Sequence, residues 1–324
     1  MNLKENVLQL LEENKGSYIS GEELARHFQV TRSAVWKVIK SLQEEGYQIT
    51  GLRKKGYALS EDTNLLSATA IGKYLDHDPF FKIHVFKSVD STNEVAKREA
   101  LNGAGEGSVW LAEEQTAGKG RKGKSFFSPA STGIYMSLLL RPSFPPMTAS
   151  LLTSAAATAV AVSLEEILGI KAGIKWVNDI FVDGKKISGT LTESAMSVEN
   201  NGLDYVIVGI GVNLQRPENG FPAELETIAG SVLETAEGYG DIRNRVAAEI
   251  LKRLSGYYRE LERRSFLPEY KKRLFFLGNE INILLPKETI TATALDITDD
   301  CHLLVQLDDG TVKELDSGEI SIKI

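Results

Sequence analysis

Cysteine and histidine are scarce in this 324-residue chain, which has one cysteine, Cys301, and four histidines. A single cysteine excludes an intrachain disulfide framework, and so few cysteines and histidines disfavour a structural zinc site. The amino-terminal segment MNLKENVLQLLEENK also lacks the basic start and the apolar middle of a signal peptide. We therefore expect a cytoplasmic protein.

Long uncharged runs are scarce too. The longest, residues 142–164, is mostly Ala, Ser and Thr. It contains two prolines besides Pro142, and Glu165 and Glu166 follow it. A membrane-spanning helix is normally more apolar throughout its length. We predict a buried helix of a globular protein and no membrane association.

Positive charge is in the minority, since the net charge is −7, and this excludes uniform affinity for nucleic acid. The charge is unevenly distributed. Residues 26–55 carry seven Lys or Arg and two Asp or Glu, whereas residues 273–324 carry four and ten. A basic amino-terminal module and an acidic carboxy-terminal module are therefore expected, and direct DNA contact by the acidic end is disfavoured.

The basic module, residues 1–62, has the pattern of a winged helix-turn-helix. Ser20 and Thr31 are placed to cap a second and a third helix, and Gly46 would close the third. The basic tip RKK then lies between two short strands. These features predict DNA binding, the alternative being a helical protein-contact domain with solvated charges. The residues assigned to DNA are Thr31, Arg32, Ser33, Trp36, Lys37, Lys40, Arg53, Lys54 and Lys55.

Strands and helices alternate irregularly over residues 63–272, which predicts a mixed sheet layered with helices. Residues 273–324 are rich in β-branched residues and contain turn signals at Asp299-Asp300 and Asp309-Gly310. We read this last part as a small antiparallel barrel. The predicted fold class is thus α+β with three domains, 1–62, 63–272 and 273–324.

The segment GKGRKGKS, residues 118–125, satisfies the phosphate-loop pattern G-x-x-x-x-G-K-[ST]. A phosphate loop follows a strand and opens a helix, because the helix N-terminus supplies part of the anion site. The strand SVWLAEEQT precedes it, but FFSPASTG and the apolar strand IYMSLLL follow it. The sequence therefore disfavours a P-loop ATPase.

The glycines and cations of this loop still have to be explained. Three glycines let the backbone approach a ligand, and Lys119, Arg121, Lys122 and Lys124 place four cations close together. The loop would be a nucleic-acid patch or would close over an anionic small molecule. We favour the small molecule, because strands hold both ends of the loop.

Four segments carry a specific resemblance: KSVDSTNEVAK, EEQTAGKGRKGKSFFSP, IKWVNDIFVDGKKISGTLTE and VIVGIGVNL. In this order, across residues 88–214, they resemble the motifs of the bacterial biotin protein ligases. With the winged helix in front, the chain resembles the bifunctional form, a biotin protein ligase that is also the repressor of the biotin operon. The resemblance implies a central fold like that of class II synthetases and an SH3-like carboxy-terminal barrel.

The family reaction has two steps. With ATP and Mg²⁺, the carboxylate of biotin attacks the α-phosphate and forms biotinyl-5′-adenylate and pyrophosphate. The biotinyl group then passes to a lysine of the biotin carboxyl carrier protein of acetyl-CoA carboxylase. The resemblance also implies a homodimer that binds operator DNA.

Individual residues receive roles from the resemblance. The biotin site would comprise Ser91, Thr92, Asn93, Gln115, Gly118, Lys119, Gly120, Arg121, Lys186, Gly209 and Gly211. The adenylate site would comprise Lys122, Lys124, Phe126, Lys175, Asn178 and Asn213. Two of these segments also have a structural interpretation that needs no ligand. Ser91-Thr92-Asn93 is typical of a helix N-cap, and Gly209-x-Gly211 is common in strands.

The catalytic residues implied are Lys186, Arg121 and Asp179. Lys186 would neutralise the attack on phosphate, and Arg121 would bind the carboxyl and phosphate groups. Asp179 would hold Mg²⁺ or help to deprotonate the incoming lysine. Lys185 shares the hairpin pattern of Lys186, and only the family register separates the two.

The chain departs from the family pattern at two positions. Phe126 stands where the family often has Trp, and Lys119 stands where Arg is frequent. Two alternatives to the ligase and repressor remain open: a ligand-sensing transcription factor without catalysis, and a lipoate or octanoate ligase of related fold. The donors at residues 91–93 and Gln115 favour biotin over lipoate.

Overall fold

The computed structural model describes residues 2–197, 202–284 and 288–322. The amino-terminal unit contains α1 (Leu3–Glu13), α2 (Gly21–His27), α3 (Arg32–Glu44) and the antiparallel hairpin of β1 (Ile49–Leu52) and β2 (Gly56–Leu59). The hydroxyls of Ser20 and Thr31 cap α2 and α3 as predicted. Val35, Ile39 and Leu42 lie in the core of this unit, so the opposite face of α3 is exposed. The winged helix-turn-helix prediction is confirmed.

The central unit is built on a seven-stranded mixed sheet. Its strands are β3 (Lys82–Val89), β4 (Ser108–Gln115), β5 (Gly133–Leu140), β6 (Gly173–Lys175), β7 (Asp179–Val182), β8 (Lys185–Met196) and β9 (Leu203–Asn213). The strand order is β3-β4-β5-β9-β8-β7-β6, in which β3 and β4 are parallel and the other neighbours are antiparallel. The helices are α4 (Ala68–Tyr74), α5 (Thr92–Leu101), α6 (Leu151–Leu168), α7 (Ile242–Arg259) and α8 (Leu267–Arg273).

Helix α6 is the predicted buried helix. By length and composition the segment Pro146–Leu168 would be able to cross a membrane, but 78% of its most apolar window is buried inside the protein. The helix packs against α7, α8 and the sheet, where its small Ala and Ser side chains allow close contact. It is therefore a core helix, as predicted.

The carboxy-terminal unit is a five-stranded antiparallel sheet of β10 (Glu280–Leu284), β11 (Thr289–Ile297), β12 (Leu303–Leu307), β13 (Val312–Leu315) and β14 (Ile320–Ile322). The strand order is β13-β12-β11-β10-β14. Ile281, Ala292 and Leu303 join the same hydrophobic core as the central sheet. The indole Nε1 of Trp176 donates to the carbonyl of Cys301 at 2.8 Å, so this unit is docked against the centre.

The segment between the first two units is held by α7. Asn244 accepts from the backbone N–H of Ser67 at 2.9 Å, and the buried guanidinium of Arg243 donates to the carbonyl of Asn64 and to Glu113. Arg243 also donates to the carbonyl of Gly133, the first residue of β5. Arg243 therefore joins the connecting segment to the ends of β4 and β5.

Candidate active site

A cavity of about 460 Å³ opens between the sheet, the glycine loop and the carboxy-terminal unit. It brings together residues that lie far apart in the sequence. The predicted residues lining it are Ser91, Thr92, Asn93, Gln115, Lys119, Gly120, Arg121, Lys122, Lys124, Phe126, Lys175, Asn178, Asp179, Lys186, Gly209, Gly211 and Asn213.

Gly118 is the exception among the predicted small-molecule contacts, since it does not line the cavity. A Cβ at this position would lie 2.4 Å from the carbonyl oxygen of Phe126 and 2.8 Å from Ser128 Oγ. The close packing of the loop on itself therefore requires glycine at this position. Contact between Gly118 and biotin stays a prediction.

One end of the cavity is uncharged and polar. The backbone N–H of Thr92 donates to Gln115 Oε1 at 2.9 Å, and Gln115 Nε2 donates to Ser128 Oγ at 2.9 Å. Ser91 occupies the N-cap position of α5, but its hydroxyl makes no capping hydrogen bond. The N-cap reading therefore describes the backbone of Ser91, and its hydroxyl remains available at the cavity.

The glycine loop forms a tight hairpin over the cavity, in which Lys119 pairs with Ser125. Residues 121–123 make a single 3-10 turn, and the next regular element is the strand β5, so the prediction against a phosphate loop is confirmed. Lys119 Nζ lies 2.6 Å from Glu94 Oε1 of α5, and Lys124 pairs with Glu319 of the carboxy-terminal unit. Two ion pairs thus hold the loop at its two sides.

Arg121 of the loop reaches across the cavity. Its NH1 group donates to Asn178 Oδ1 at 3.1 Å, and Asn178 Nδ2 donates in turn to the carbonyl of Thr190 at 2.8 Å. The buried Asn178 amide is thereby fixed with its oxygen toward the loop. The arrangement holds a guanidinium, which binds oxyanions in a bidentate manner, beside the centre of the cavity.

The two neighbouring lysines of β8 have different partners. Lys186 Nζ lies 2.6 Å from Asp179 Oδ1 and lines the cavity. Lys185 Nζ donates instead to the carbonyls of Glu226 and Thr227, because successive side chains of a strand point to opposite faces. The geometry therefore separates two residues that the sequence alone left equivalent.

Lys175 is a further cation at the cavity. Burial lowers the pKa of its amine below the ordinary value, and nearby Lys186 and Lys124 add to this effect while Asp179 opposes it. The Nζ lies 5.9 Å from the ring centre of Phe181, a cation–π distance. A bound anion would therefore find in Lys175 a partly desolvated partner.

Aromatic and amide groups lie at the other end of the cavity. Phe126 packs edge-on against Tyr135, and a Cβ on Gly211 would lie 2.6 Å from the Phe126 ring. Asn213 Nδ2 donates to the carbonyl of Gly230 at 3.1 Å. A flat ring would find an aromatic face and amide groups here, which suits an adenine base.

Asp179 is the residue assigned to the metal. Within the described ranges, no group of three His, Cys, Asp or Glu side chains is placed to hold a metal ion. Asp179 is the carboxylate of the predicted site, and it is engaged by Lys186. Mg²⁺ usually keeps several waters and takes one or two carboxylates plus substrate phosphates, so a single carboxylate fits it only together with a nucleotide.

The second predicted surface lies on the amino-terminal unit. Trp36, half exposed at 51%, lies under the amine of Lys40, whose Nζ is 5.6 Å from the ring centre. Lys55 Nζ lies 5.8 Å from the ring of Tyr18. All nine residues assigned to DNA are exposed, namely Thr31, Arg32, Ser33, Trp36, Lys37, Lys40, Arg53, Lys54 and Lys55.

Three family models match the chain: an HTH domain over residues 4–58, the Biotin/lipoate A/B protein ligase family over residues 85–213, and the Biotin protein ligase C terminal domain over residues 276–323. The Bifunctional ligase/repressor BirA of Bacillus subtilis (strain 168) is 34% identical, over 99% of this chain and 98% of its own length. The chain belongs to the bifunctional biotin ligase/repressor family. The BirA of Escherichia coli (strain K12) is 28% identical, over 95% of this chain and 94% of its own length.

A solved structure also resembles this member of the bifunctional family. The biotin protein ligase from Aquifex aeolicus in complex with biotin and ATP has a TM-score of 0.61 and 30% identity, over 74% of this chain and 97% of that one. The predicted fold, the ligase class and the joining of a ligase to a DNA-binding repressor are confirmed by these likenesses. They do not test the roles of single residues.

Sequence reasoning missed part of the cavity. Leu284 and residues 318–321 of the carboxy-terminal unit line the cavity, so this unit forms one of its walls. Phe221, Leu225 and Ile228, from the segment after β9, line it as well. The one signal for that segment was the presence of these separate apolar residues in an otherwise polar loop. Behind the cavity, Ser137 and Glu193 contact predicted residues without lining it.

Proposed function

We propose that this ligase/repressor condenses biotin with ATP to biotinyl-5′-adenylate and then transfers the biotinyl group to a lysine of a biotin carboxyl carrier protein. One observation carries the proposal: a single cavity joins an uncharged polar end at Thr92 and Gln115 to a cationic centre at Arg121 and Lys186. Biotin has the matching polarity, with a urea at one end and a carboxylate at the other. The Aquifex ligase, whose structure holds biotin and ATP, supports these two substrates.

In the first step, a carboxylate oxygen of biotin would attack the α-phosphorus of ATP, and the bond to the leaving pyrophosphate would break. Two anions must approach each other, so fixed cations lower the barrier. Arg121 would bind carboxylate and phosphate oxygens with its planar guanidinium, and Lys186 would neutralise the attacking side. Lys175, partly desolvated and cationic, would bind phosphate oxygens nearby.

In the second step, the ε-amine of the carrier lysine would attack the acyl carbon and AMP would leave. The amine must lose a proton to form the amide. Asp179 is a carboxylate within the cavity and would accept that proton, while Lys186 would stabilise the negative charge that develops on the acyl oxygen.

Mg²⁺ would take Asp179 as its one protein carboxylate. When bound, the ion screens the charge of the phosphates and polarises their oxygens. Asp179 would serve as the residue that holds the ion in the first step and as the base in the second.

The repressor half of the proposal rests on the exposed face of α3 and the basic tip of the hairpin. In a winged helix-turn-helix the third helix lies in the major groove and the wing contacts the phosphates. We propose a homodimer that binds a palindromic operator in the cytoplasm, because a two-fold protein matches two-fold DNA sites. The carrier of acetyl-CoA carboxylase is the proposed acceptor, and other biotin-dependent carboxylases are further candidates.

Pyrophosphate release from ATP, without carrier, tests the ligase half. We expect release with biotin and none with lipoate, and a loss of about 100-fold in Lys186→Ala, because removing a group that stabilises developing charge costs roughly 10²–10³ in rate. Lys185→Ala is the matched control, since its amine bonds to backbone carbonyls outside the cavity.

Other results would replace the proposal. Release with lipoate alone would favour the lipoate ligase. Biotin binding without release would favour a sensor that does not catalyse. Equal rates in Lys186→Ala and Lys185→Ala would remove Lys186 from the catalytic role.

A further inference from the structure

Ser137 is a buried hydroxyl on β5, a strand whose other side chains include Ile134, Leu138 and Leu139. Its Oγ lies 2.6 Å from Asn93 Oδ1 and 2.8 Å from Thr92 Oγ1. Ser137 does not line the cavity and lies directly behind these two residues. A fully buried hydroxyl is costly unless its hydrogen bonds are made, so these contacts determine where its proton lies.

Glu193 fixes the direction of the Asn93 amide. Its Oε2 lies 2.7 Å from Asn93 Nδ2, and its Oε1 lies 2.7 Å from the amine of Lys97. An ionised carboxylate only accepts hydrogen bonds, so the NH₂ group of Asn93 must face Glu193 and the oxygen must face Ser137. Gly209 leaves room for this orientation, because a Cβ there would lie 2.2 Å from Asn93 Oδ1.

The orientation of Asn93 fixes the single proton of Ser137. The amide oxygen of Asn93 only accepts, and its contact with Ser137 is the shorter of the two, so Ser137 donates to Asn93. Its one proton is then not available to Thr92, so at that contact Ser137 Oγ can only accept. The proton of the Thr92 hydroxyl is directed to Ser137 Oγ or to Gln115 Oε1, which lies 3.1 Å away.

Gln115 is fixed by the same kind of constraint. The backbone N–H of Thr92 only donates, so Gln115 Oε1 faces it and Nε2 faces Ser128. An amide nitrogen has two protons, and Ser128 takes one of them. At the cavity Thr92 Oγ1 therefore offers lone pairs, and Gln115 offers an N–H.

We infer that Ser137 and Glu193 are positioning residues that set the hydrogen-bond polarity of the biotin site. With this polarity, Thr92 accepts a hydrogen bond from a ligand N–H and Gln115 donates one to a ligand carbonyl. A cyclic urea has these two groups side by side, whereas an acyl chain without a urea has neither. The inference rests on the proposed function and extends it to two residues outside the cavity.

Calorimetric titration of biotin into the full chain tests this inference. Ser137→Ala leaves Asn93 Oδ1 without its donor and frees the Thr92 hydroxyl, so we expect about tenfold weaker binding. Glu193→Gln keeps the shape but lets the Asn93 amide reverse, and we expect a loss of about threefold to tenfold. Ser163→Ala is the matched control, because Ser163 is buried on α6 and its hydroxyl has no hydrogen-bond partner in the described residues.

A second measurement distinguishes positioning from mere structural support. We expect the wild type to discriminate at least tenfold against biotin methylated on one of the urea nitrogens, and this ratio to fall in both variants. The Kd of ATP should be unchanged. Biotin binding within twofold of wild type in both variants would overturn the inference alone. A wild-type chain that binds no biotin would overturn the proposed function together with it.

Discussion

Lys186 and Asp179 face each other across the β7–β8 hairpin, with Nζ 2.6 Å from Oδ1. Gly189 is paired with Asp179 in the ladder, and a Cβ there would lie 3.4 Å from Lys186 Cε and 3.5 Å from Asp179 Oδ1. The side chains are 31% and 22% exposed, so the ion pair contributes modestly to stability. The pair holds the Lys186 amine at the cavity, where the proposed function places an anionic ligand.

Asp179→Asn separates the two steps of the reaction. The variant keeps the shape of Asp179 but cannot accept a proton, so biotinyl transfer to the carrier should fall about 100-fold, within the range for general-base groups. Adenylate formation should fall less. Single-turnover measurements of each step check this, and Asp183→Asn on the hairpin turn is the control, because Asn tolerates its positive φ of 48°. Unchanged transfer would remove Asp179 from the role of base.

Gly209→Ala should weaken biotin binding more than tenfold while the protein stays folded. The new methyl group would meet the Asn93 carboxamide and displace it from its place between Ser137 and Glu193. Gly256→Ala is the matched control, since a Cβ there meets nothing within 4 Å and the position lies inside α7. The control should raise stability by up to about 1 kcal/mol, from helix propensity. The Kd of biotin and the Tm of each variant are the two measurements that test this prediction.

Lys175 should take up protons when the adenylate binds. Burial holds its pKa below 10.5 in the free protein, and a bound phosphate would raise it again. At a pH between the lowered pKa of the free protein and the raised pKa of the complex, Lys175 is neutral in the free protein and protonated in the complex. Binding therefore consumes a proton at alkaline pH. Calorimetry in buffers of different ionisation enthalpy measures this uptake. It should disappear in Lys175→Met and persist in Lys171→Met, an exposed lysine of the same segment.

Lys40→Ala and Trp36→Ala should weaken DNA binding in different ways. Loss of one phosphate contact lowers the slope of log K against log salt by about 1, so the Lys40 variant should bind with a smaller salt dependence. The Trp36 variant loses an apolar contact and should bind more weakly with the slope unchanged. Anisotropy titrations with an operator selected from random DNA measure both, and Lys87→Ala, on the exposed part of β3, is the control. If both variants bound DNA as the wild type does, the DNA-binding surface would not include these residues of α3.

Much of the fold was predictable because its signals are local, whereas the residues of the cavity were assigned from four motifs whose order resembles that of the biotin protein ligases. Thr31 caps α3, and the helical spacing of Val35, Ile39 and Leu42 places them in the core, as expected from neighbouring positions alone. The glycine loop was separated from a phosphate loop by Pro129 and the strand that follows it. Such features depend on a few adjacent residues.

The remaining parts depend on contacts between distant positions. Ser137 lies 44 residues from Asn93 in the chain, and Glu193 lies 100 residues from it. A lone serine in an apolar strand gives no local sign of these partners. Lys185 and Lys186 were inseparable because the choice of face depends on the ladder, where the register of β7 and β8 shifts between Ile180 and Phe181. Counting alternate residues along the sequence does not reveal such a shift.

The carboxy-terminal wall of the cavity has an electrostatic consequence. Leu284 and residues 318–321 cover one side of the space in which phosphate and carboxylate would meet. Without that cover, water would reach the reacting groups and raise the local dielectric constant. The attraction of Arg121 and Lys186 for the developing charge would then fall toward its value in bulk solvent. By excluding part of the solvent, the acidic β unit would thus increase the effect of cations that belong to another part of the chain.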